Sequence, residues 1–436
     1  MRGSNIKNTF ILGAGVSGLT AGRVTGLAIY EAEALAGGIC SSYYVRPGNK
    51  KLLRRLPRDG RAYRFEIGGG HWIFGADAEI LKFIGGFTPV KEYRRKSAVF
   101  FSKEKLYVPY PLQNNLRFFK KEIRERTLKE INVKPVKEPL TMKEWLEFNF
   151  GSTLCRLFFF PFHNLYTAGL YAAIAPQDAY KSPLNISRVI QGAYKVTAPA
   201  GYNATFIYPA KGLDVLVGAI ARNCDVRYNK RIVRIDTEKR KLYFAQGGSA
   251  HYDKLISTLP LNKVMTMAGL DAGVPADPYT SVLVLNIGAR RGKNCPDEHW
   301  LYIPDSRSGF HRVGFYSNVD NSFLPWSAQR DKSRVSIYVE RAYPGGKKPR
   351  DKEAKAYADK TVRELQEWGF IKEVEVFDPT WIDVAYTWVW PGSTWREEAV
   401  KILKGYNIYQ IGRYGAWKFQ GIADSIKEGL SFSFKS

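Results

Sequence analysis

Cysteine is scarce in this chain: Cys40, Cys155, Cys224 and Cys295 are the four in 436 residues, and no two form a C-x-x-C pair. That excludes a disulfide framework and a zinc site built on cysteine pairs, and it points to a reducing, cytoplasmic setting with no resident metal. Long hydrophobic runs are missing too. The first apolar stretch, Thr9 to Gly15, ends in glycines instead of continuing as the core of a signal peptide. The most membrane-like stretch, Phe158 to Pro176, holds Pro161, His163 and Asn164 and reads as a buried helical segment, not a span. Acids are in deficit: 41 Asp and Glu stand against 66 Lys and Arg, a net charge of +25. So basic a chain attracts anions, whether nucleic acid, an acidic membrane surface or phosphorylated substrates. No zinc-finger, helix-turn-helix or RNA-binding signature accompanies the charge, so no specific nucleic-acid partner is expected. Much of it is expected to lie outside any active site and to support peripheral contact with the anionic inner face of a membrane. The chain carries no internal repeat.

Apolar and aromatic residues are plentiful, at 45% and 14%, enough for the cores of two or three domains. The clearest local signal is at the start. Asn8 to Leu12 is a short apolar run, followed by Gly13-Ala-Gly15-Val-Ser-Gly18 and a small-residue segment; a second run, Leu27 to Tyr30, ends in Glu31. That order is strand, tight turn, helix, strand. The glycines let a pyrophosphate approach a helix N-terminus, and an acid at the end of the second strand can hold a ribose. The intervening helix is expected to be short. Another glycine pair, Gly37 and Gly38, follows the second strand beside Ser41, and Gly68 to Gly70 precede His71. Such glycines admit a flat cofactor, which favours FAD over NAD.

The predicted fold is α/β: a Rossmann-like, glutathione-reductase-like FAD-binding domain with an inserted helical domain and a mainly antiparallel substrate-binding sheet. The FAD domain is assigned to residues 1–90, 204–262 and 404–436, the helical domain to 114–203, and the substrate sheet to 91–113 and 263–403. Strands are expected at Val226 to Ile235, Lys241 to Ala245 and Leu255 to Leu259, and alternation marks Ser281 to Ile287, His311 to Tyr316 and Val335 to Val339. A helix is expected from Lys352 to Trp368. The charged run Arg117 to Glu138 reads as a solvated helix face. At the carboxyl end, Ile408 to Gly412 is a strand and Ile422 to Leu430 a closing helix whose N-terminus would face the flavin.

Six stretches, in order, resemble the flavin-dependent UDP-galactopyranose mutases, particularly the eukaryotic type. They are Gly69-Gly70-His71-Trp-Ile-Phe74, Val108-Pro-Tyr110-Pro-Leu-Gln113-Asn-Asn115, Asn203 to Phe206 with Pro209 to Gly212, Trp300-Leu-Tyr302-Ile-Pro304, Arg312 to Asn318, and Gly412-Arg413-Tyr-Gly-Ala-Trp417. The resemblance implies a redox-neutral ring contraction of a nucleotide sugar. Reduced flavin (FADH−), supplied with electrons by a donor such as NAD(P)H, attacks the anomeric carbon through N5 and expels the nucleoside diphosphate, which returns after the sugar recloses as a furanose. It further implies Arg188 and Arg312 on the diphosphate, with His71 on the loop that reports the flavin's redox state. A uracil pocket falls to Tyr110, Gln113, Phe158 and Phe162, and sugar and phosphate contacts to Asn203 and Tyr302. Cofactor contacts fall to Gly13, Gly15, Gly18, Glu31, Gly37, Gly38, Ser41, Gly70, Ile232, Arg413, Asp424 and Ser425.

The sequence also departs from that family. Three positions that carry diphosphate-gripping tyrosines there are Val319, Trp390 and Phe419 here, and the asparagine near the sugar is His163. Tyr302, Tyr316 and Tyr414 are candidates to rebuild the grip; otherwise the ligand is a nucleotide sugar other than UDP-galactopyranose, which is the preferred reading of the sequence. The rival activity is an FAD-dependent oxidase or desaturase of the amine-oxidase type, which shares the cofactor pattern but removes hydride. A non-enzymatic basic protein that keeps FAD for stability is the third reading.

Overall fold

Five short parallel strands drawn from the whole length of the chain form one sheet, in the order Ile408–Gln410, Lys254–Ser257, Thr9–Leu12, Ala28–Tyr30 and Val226–Arg227. The computed structural model describes residues 8–49, 51–132, 138–177, 184–197 and 204–434. Strand order reverses at Thr9–Leu12, the first strand of the chain: on one side it is followed by Ala28–Tyr30, the next strand in sequence, and on the other by Lys254–Ser257, which joins from much later chain. A ligand crevice opens at such a switch point, beyond the carboxyl ends of the strands. Helix Val16–Thr25 leaves from there and has ten residues, stopped by Gly26 at φ 71°. Helix Ile422–Ser431 crosses it at Gly429, where a Cβ would stand 2.8 Å from the Ser17 carbonyl oxygen.

The second sheet has seven strands, in the order Ile371–Thr387, Tyr279–Arg291, Arg334–Pro344, Arg312–Phe315, Trp300–Tyr302, Ser97–Phe101 and Leu106–Pro109. All neighbours are antiparallel except Trp300–Tyr302 and Ser97–Phe101. Alternation sorts its two faces. Leu283, Leu285 and Ile287 join Tyr357 and Leu365 of helix Asp351–Glu367 in one core, while Val282, Val284 and Tyr338 join Tyr63 and Phe65 in the core facing the parallel sheet. The fold is therefore mixed α/β, with a largely antiparallel second sheet.

Helices Lys121–Ile131, Met142–Leu154 and Phe160–Tyr166 pack on Val99, Phe101 and Val108 at the edge of that sheet. Phe160–Tyr166 continues directly from a π-helical turn, Cys155–Phe159, and Pro161 stands just past that junction, where the regular hydrogen-bond ladder is already interrupted. Among the described residues no helix is long and apolar enough to cross a membrane. Within the charged run, helix Lys121–Ile131 does present an exposed face, but Glu130 turns inward. Helix Met142–Leu154 breaks at Gly151, φ 71°, and the Glu130 carboxylate accepts the Thr153 N–H at 2.7 Å and its hydroxyl at 2.8 Å. A charge within a solvated run thus caps a helix that restarts.

One strand expectation needs correction, and one segment assigned to the substrate sheet pairs elsewhere. Val226 to Ile235 is not one strand: Asn229, at φ 56°, turns the chain, and Ile232–Asp236 begins a separate antiparallel sheet with Lys241–Phe244 and Ser249–His251. Val90–Arg94 pairs with Thr205–Pro209 and not with the seven-stranded sheet.

Between the sheets lies a buried polar nexus. Glu66 is fully buried; Ser42 Oγ donates to its carboxylate at 3.0 Å, and the Tyr208 hydroxyl donates as well. Burial pushes the Glu66 pKa up to about 8 against the pull of Arg64. A folded pKa above the unfolded value of about 4.3 means the folded chain holds a proton that the unfolded chain releases. That contribution is full below about pH 4 and lost as pH rises through 8. Glu66→Gln, which keeps the neutral shape, is expected to gain stability over the parent as pH rises from 5 to 9, read from denaturant unfolding at each pH. Parallel curves would contradict the assignment.

Candidate active site

One cleft of about 550 Å³ joins the two sheets. At one end stand Gly13, Gly15, Glu31, Gly37 and Gly38; at the other, Tyr110, Phe158, Phe162, Tyr302 and Arg312; Gly70, His71, Arg413, Phe419, Asp424 and Ser425 line it as well. These residues are spread over four hundred positions of sequence.

The first end fits a dinucleotide. Helix Val16–Thr25 begins at Gly15 with no side-chain cap and no acid in its first turn, leaving its N–H groups to a ligand anion. Nothing lies within 4 Å of the place a Gly15 Cβ would occupy. Gly18 is needed for a different reason, since a Cβ there would stand 2.0 Å from the Gly13 carbonyl oxygen. Glu31 is buried and fixed, its carboxylate accepting the Ala14 N–H at 2.7 Å and the Glu33 N–H at 2.8 Å. Each oxygen keeps a lone pair for a ribose hydroxyl. The N-terminus of helix Ile422–Ser431 reaches the same cleft through Gly421, Asp424 and Ser425.

At the other end the chemistry centres on Arg312. Its Nε donates to Glu340 Oε2 at 2.9 Å and its Nη2 to Oε1 at 2.6 Å, with the Tyr386 hydroxyl 3.5 Å from Nη2. The pair follows from register, because Arg312 lies directly opposite Glu340 across two antiparallel strands. Burial would raise the Glu340 pKa, but the guanidinium holds the carboxyl below its usual range. The Arg312 side chain remains 24% exposed, so part of its fork faces the cleft. Beside it His311 is buried with neither ring nitrogen hydrogen-bonded, Nε2 lying 3.5 Å from Glu340; burial lowers its pKa and keeps it neutral.

Around this pair the wall is aromatic: Tyr166, Trp300, Tyr302, Tyr338 and Tyr386 all line the cleft. His71 is held by its Nε2, 2.7 Å from the Ile67 carbonyl, and burial pushes its pKa down to about 4. A neutral ring that donates through Nε2 has only Nδ1 left, as an acceptor, so His71 is not a proton donor at neutral pH. Arg413 donates to the carbonyls of Gln420 and Ala385 and lies over the Phe419 ring at 4.7 Å. Among the described residues, the cleft's cations are Arg312 and Arg413, against the carboxylates of Glu31, Glu340 and Asp424. The net positive charge of the chain is therefore not gathered here.

Several expected residues stand elsewhere. Arg188 is exposed on helix Ile186–Gly192 and does not line the cleft. Gln113 is buried in the turn Leu112–Asn114 and does not line the cleft. Trp390 donates its indole N–H to the Ala276 carbonyl at 3.1 Å, and Val319 is buried in the central core, so neither replaces a hydroxyl within reach of the cleft. Tyr316 is committed to Asn286 at 3.0 Å, whereas Tyr302 and Tyr414 do line the cleft. Ile232 begins the separate antiparallel sheet, and Ser41 is buried behind Cys40. Asn203 lies outside the described residues. His163, expected only as a departure, lines the cleft with Nδ1 2.7 Å from the Phe159 carbonyl. Sequence reasoning missed Tyr166, Tyr338, Glu340, Tyr386 and His311. Glu340 had a signal, an acid placed directly after the alternating run Val335 to Val339.

A glycine turn and a buried acid on a parallel sheet, joined by a cleft to a largely antiparallel sheet, are the architecture of the two-sheet flavoenzyme class. The family model for flavin containing amine oxidoreductase matches residues 17–400, and the chain belongs to that family. Membership makes it a flavin enzyme and implies FAD as cofactor. Among solved structures, a reduced UDP-galactopyranose mutase superposes with a TM-score of 0.83 at 22% identity, covering 97% of this chain and 92% of that one. A protein assigned as a protoporphyrinogen oxidase from Exiguobacterium sp. 255-15 gives 0.71 at 13% identity, covering 98% of each chain. Putrescine oxidase bound to putrescine gives 0.57 at 15% identity, covering 97% of each. At these identities the likeness is one of fold.

Proposed function

We propose that the chain is a sugar-nucleotide mutase that interconverts pyranose and furanose forms, built on eukaryotic-type motifs of the UDP-galactopyranose mutases. The observation that carries the reading is convergence. Tyr110, Phe158, Phe162, Tyr302 and Arg312, named by resemblance from separate stretches, line the same cleft as the glycine turn and Glu31. Reduced FAD, held by Gly13, Gly15, Glu31 and the two helix N-termini, would supply a nucleophilic nitrogen for the anomeric carbon and be regenerated each cycle.

The chain's own groups have distinct tasks in this reading. Tyr110, Phe158 and Phe162 offer faces to a base; Phe158 and Phe162 already stack at 5.2 Å between centroids. Arg312 holds the leaving phosphate through the part of its fork that Glu340 does not use, and Glu340 fixes its orientation. The aromatic wall excludes water. The parallel-sheet segments serve the cofactor, and the helical and antiparallel segments serve the substrate.

Among the described residues, two cations among three carboxylates make a weak grip for a second diphosphate, and the missing hydroxyl at Phe419 weakens it further. We therefore expect a nucleotide sugar other than UDP-galactopyranose. Phe419 is the one of the three altered positions that lines the cleft, so Phe419→Tyr alone is expected to tighten UDP-galactopyranose binding about tenfold, the worth of one hydrogen bond to a charged group. Calorimetry on reduced protein checks it, and tight binding by the unmodified chain would overturn the substrate reading. The same charge balance favours a second reading, an FAD-dependent oxidase acting on a substrate without phosphate.

A further inference from the structure

Strands Ser42–Val45 and Tyr63–Glu66 form a hairpin, and the long loop between them presents cations and apolar side chains together. Lys51, Arg54, Arg55, Arg58 and Arg61 are all exposed, and none has an ion-pair partner among the described residues; the loop's own pair is Arg46 with Asp59, at 2.8 Å. Between the cations stand Leu52 and Leu56, 41% and 55% exposed. Trp326 adds a third apolar group, 56% exposed. It belongs to the same surface, for its N–H donates to the Gly60 carbonyl at 2.8 Å and its indole occupies the space a Gly60 Cβ would need.

Local geometry holds this arrangement. Leu53 exchanges two backbone hydrogen bonds with Tyr44, both 2.8 Å, so Leu53 turns in while its neighbour Leu52 turns out. A single exposed leucine is ordinary. Two leucines and a tryptophan set among five unpaired cations are the composition of an interface-seeking segment, in which cations meet anionic headgroups, tryptophan sits at their level and leucines enter the acyl boundary. Nucleic acid would use the cations and the indole but gains nothing from the leucines.

We propose that residues 51–61 together with Trp326 form a docking surface for an anionic lipid bilayer. The contact is peripheral, and it is a property of this patch and not of the net charge at large.

The test is cosedimentation of the full chain with vesicles of phosphatidylcholine alone, or of phosphatidylcholine and phosphatidylserine, at low and high salt. Binding is expected only with phosphatidylserine. The double variant Leu52→Ser, Leu56→Ser is expected to lower partitioning at least about tenfold. The triple variant Arg54→Gln, Arg55→Gln, Arg58→Gln should do the same and flatten the salt dependence. The exposed triple Lys347→Gln, Lys348→Gln, Lys352→Gln removes equal charge elsewhere and should leave binding unchanged. Unaltered melting temperatures establish that every variant is folded. Equal binding to phosphatidylcholine, equal loss with the lysine triple, or a leucine variant that binds like the parent would overturn the proposal. So would binding to single-stranded RNA that survives the leucine substitutions while vesicles are ignored.

Discussion

Arg312→Ala is expected to lower kcat/KM on the native nucleotide sugar by about two to four orders of magnitude while leaving the flavin bound. The argument is local. Removing the guanidinium would take away the proposed phosphate contact and would also strand Glu340, which is buried and has Arg312 as its bidentate partner. Breaking a buried ion pair from one side costs about 3–5 kcal/mol, because the remaining charge has no compensation. Glu340 should then protonate, its pKa rising since burial is no longer opposed. A folded pKa raised in this way makes the variant lose stability as pH climbs through it, the opposite of the parent. Arg312→Lys is not expected to rescue, because a single ammonium cannot bridge Glu340 and a phosphate in one plane. Steady-state kinetics with bound flavin measured in parallel decides the matter; activity within a factor of about ten of the parent would remove Arg312 from the mechanism.

Gly15→Val is expected to give a folded protein nearly free of flavin, its FAD affinity reduced by at least about two orders of magnitude, or roughly 3 kcal/mol. Gly15 has φ −69° and ψ 175°, a conformation valine adopts readily, and the space around its Cβ is empty, so the apoprotein has no reason to unfold. The new side chain would stand where a pyrophosphate must approach the helix N-terminus. Gly18→Val is the contrasting substitution, since its Cβ would collide with the Gly13 carbonyl oxygen, and it should damage the fold itself. Flavin absorbance after gel filtration, set beside circular dichroism, separates the two outcomes. Normal FAD content in Gly15→Val would mean that the cofactor lies elsewhere.

What could be read in advance follows a physical pattern. The glycine turn, Glu31 and the alternation of Ser281 to Ile287 were legible because each is local: a turn, a strand end and a face are written in neighbouring residues. Arg312 was legible through motif context. Its partner Glu340 was not, because the pair is made by strand register across 28 residues. The aromatic wall escaped notice for a related reason. Tyr166, Tyr338 and Tyr386 lie on a helix and two strands whose sequences read as ordinary core, and only their packing turns the rings to one cleft. Arg188 shows the converse, since a motif match names a residue but does not carry it to the cleft. Glu130 was hidden in a charged run because the break it caps, at Gly151, is twenty-one residues further along.

The central claim, redox-neutral chemistry in a fold shared with oxidases, is tested most directly by counting electrons. Reduced protein incubated anaerobically with a panel of nucleotide sugars, and the products separated by chromatography, is expected to convert one of them to its furanose isomer through many turnovers with no further reductant and no acceptor. Turnover only when oxygen or another acceptor is consumed, one equivalent for each product formed, would contradict the mutase reading and establish the oxidase.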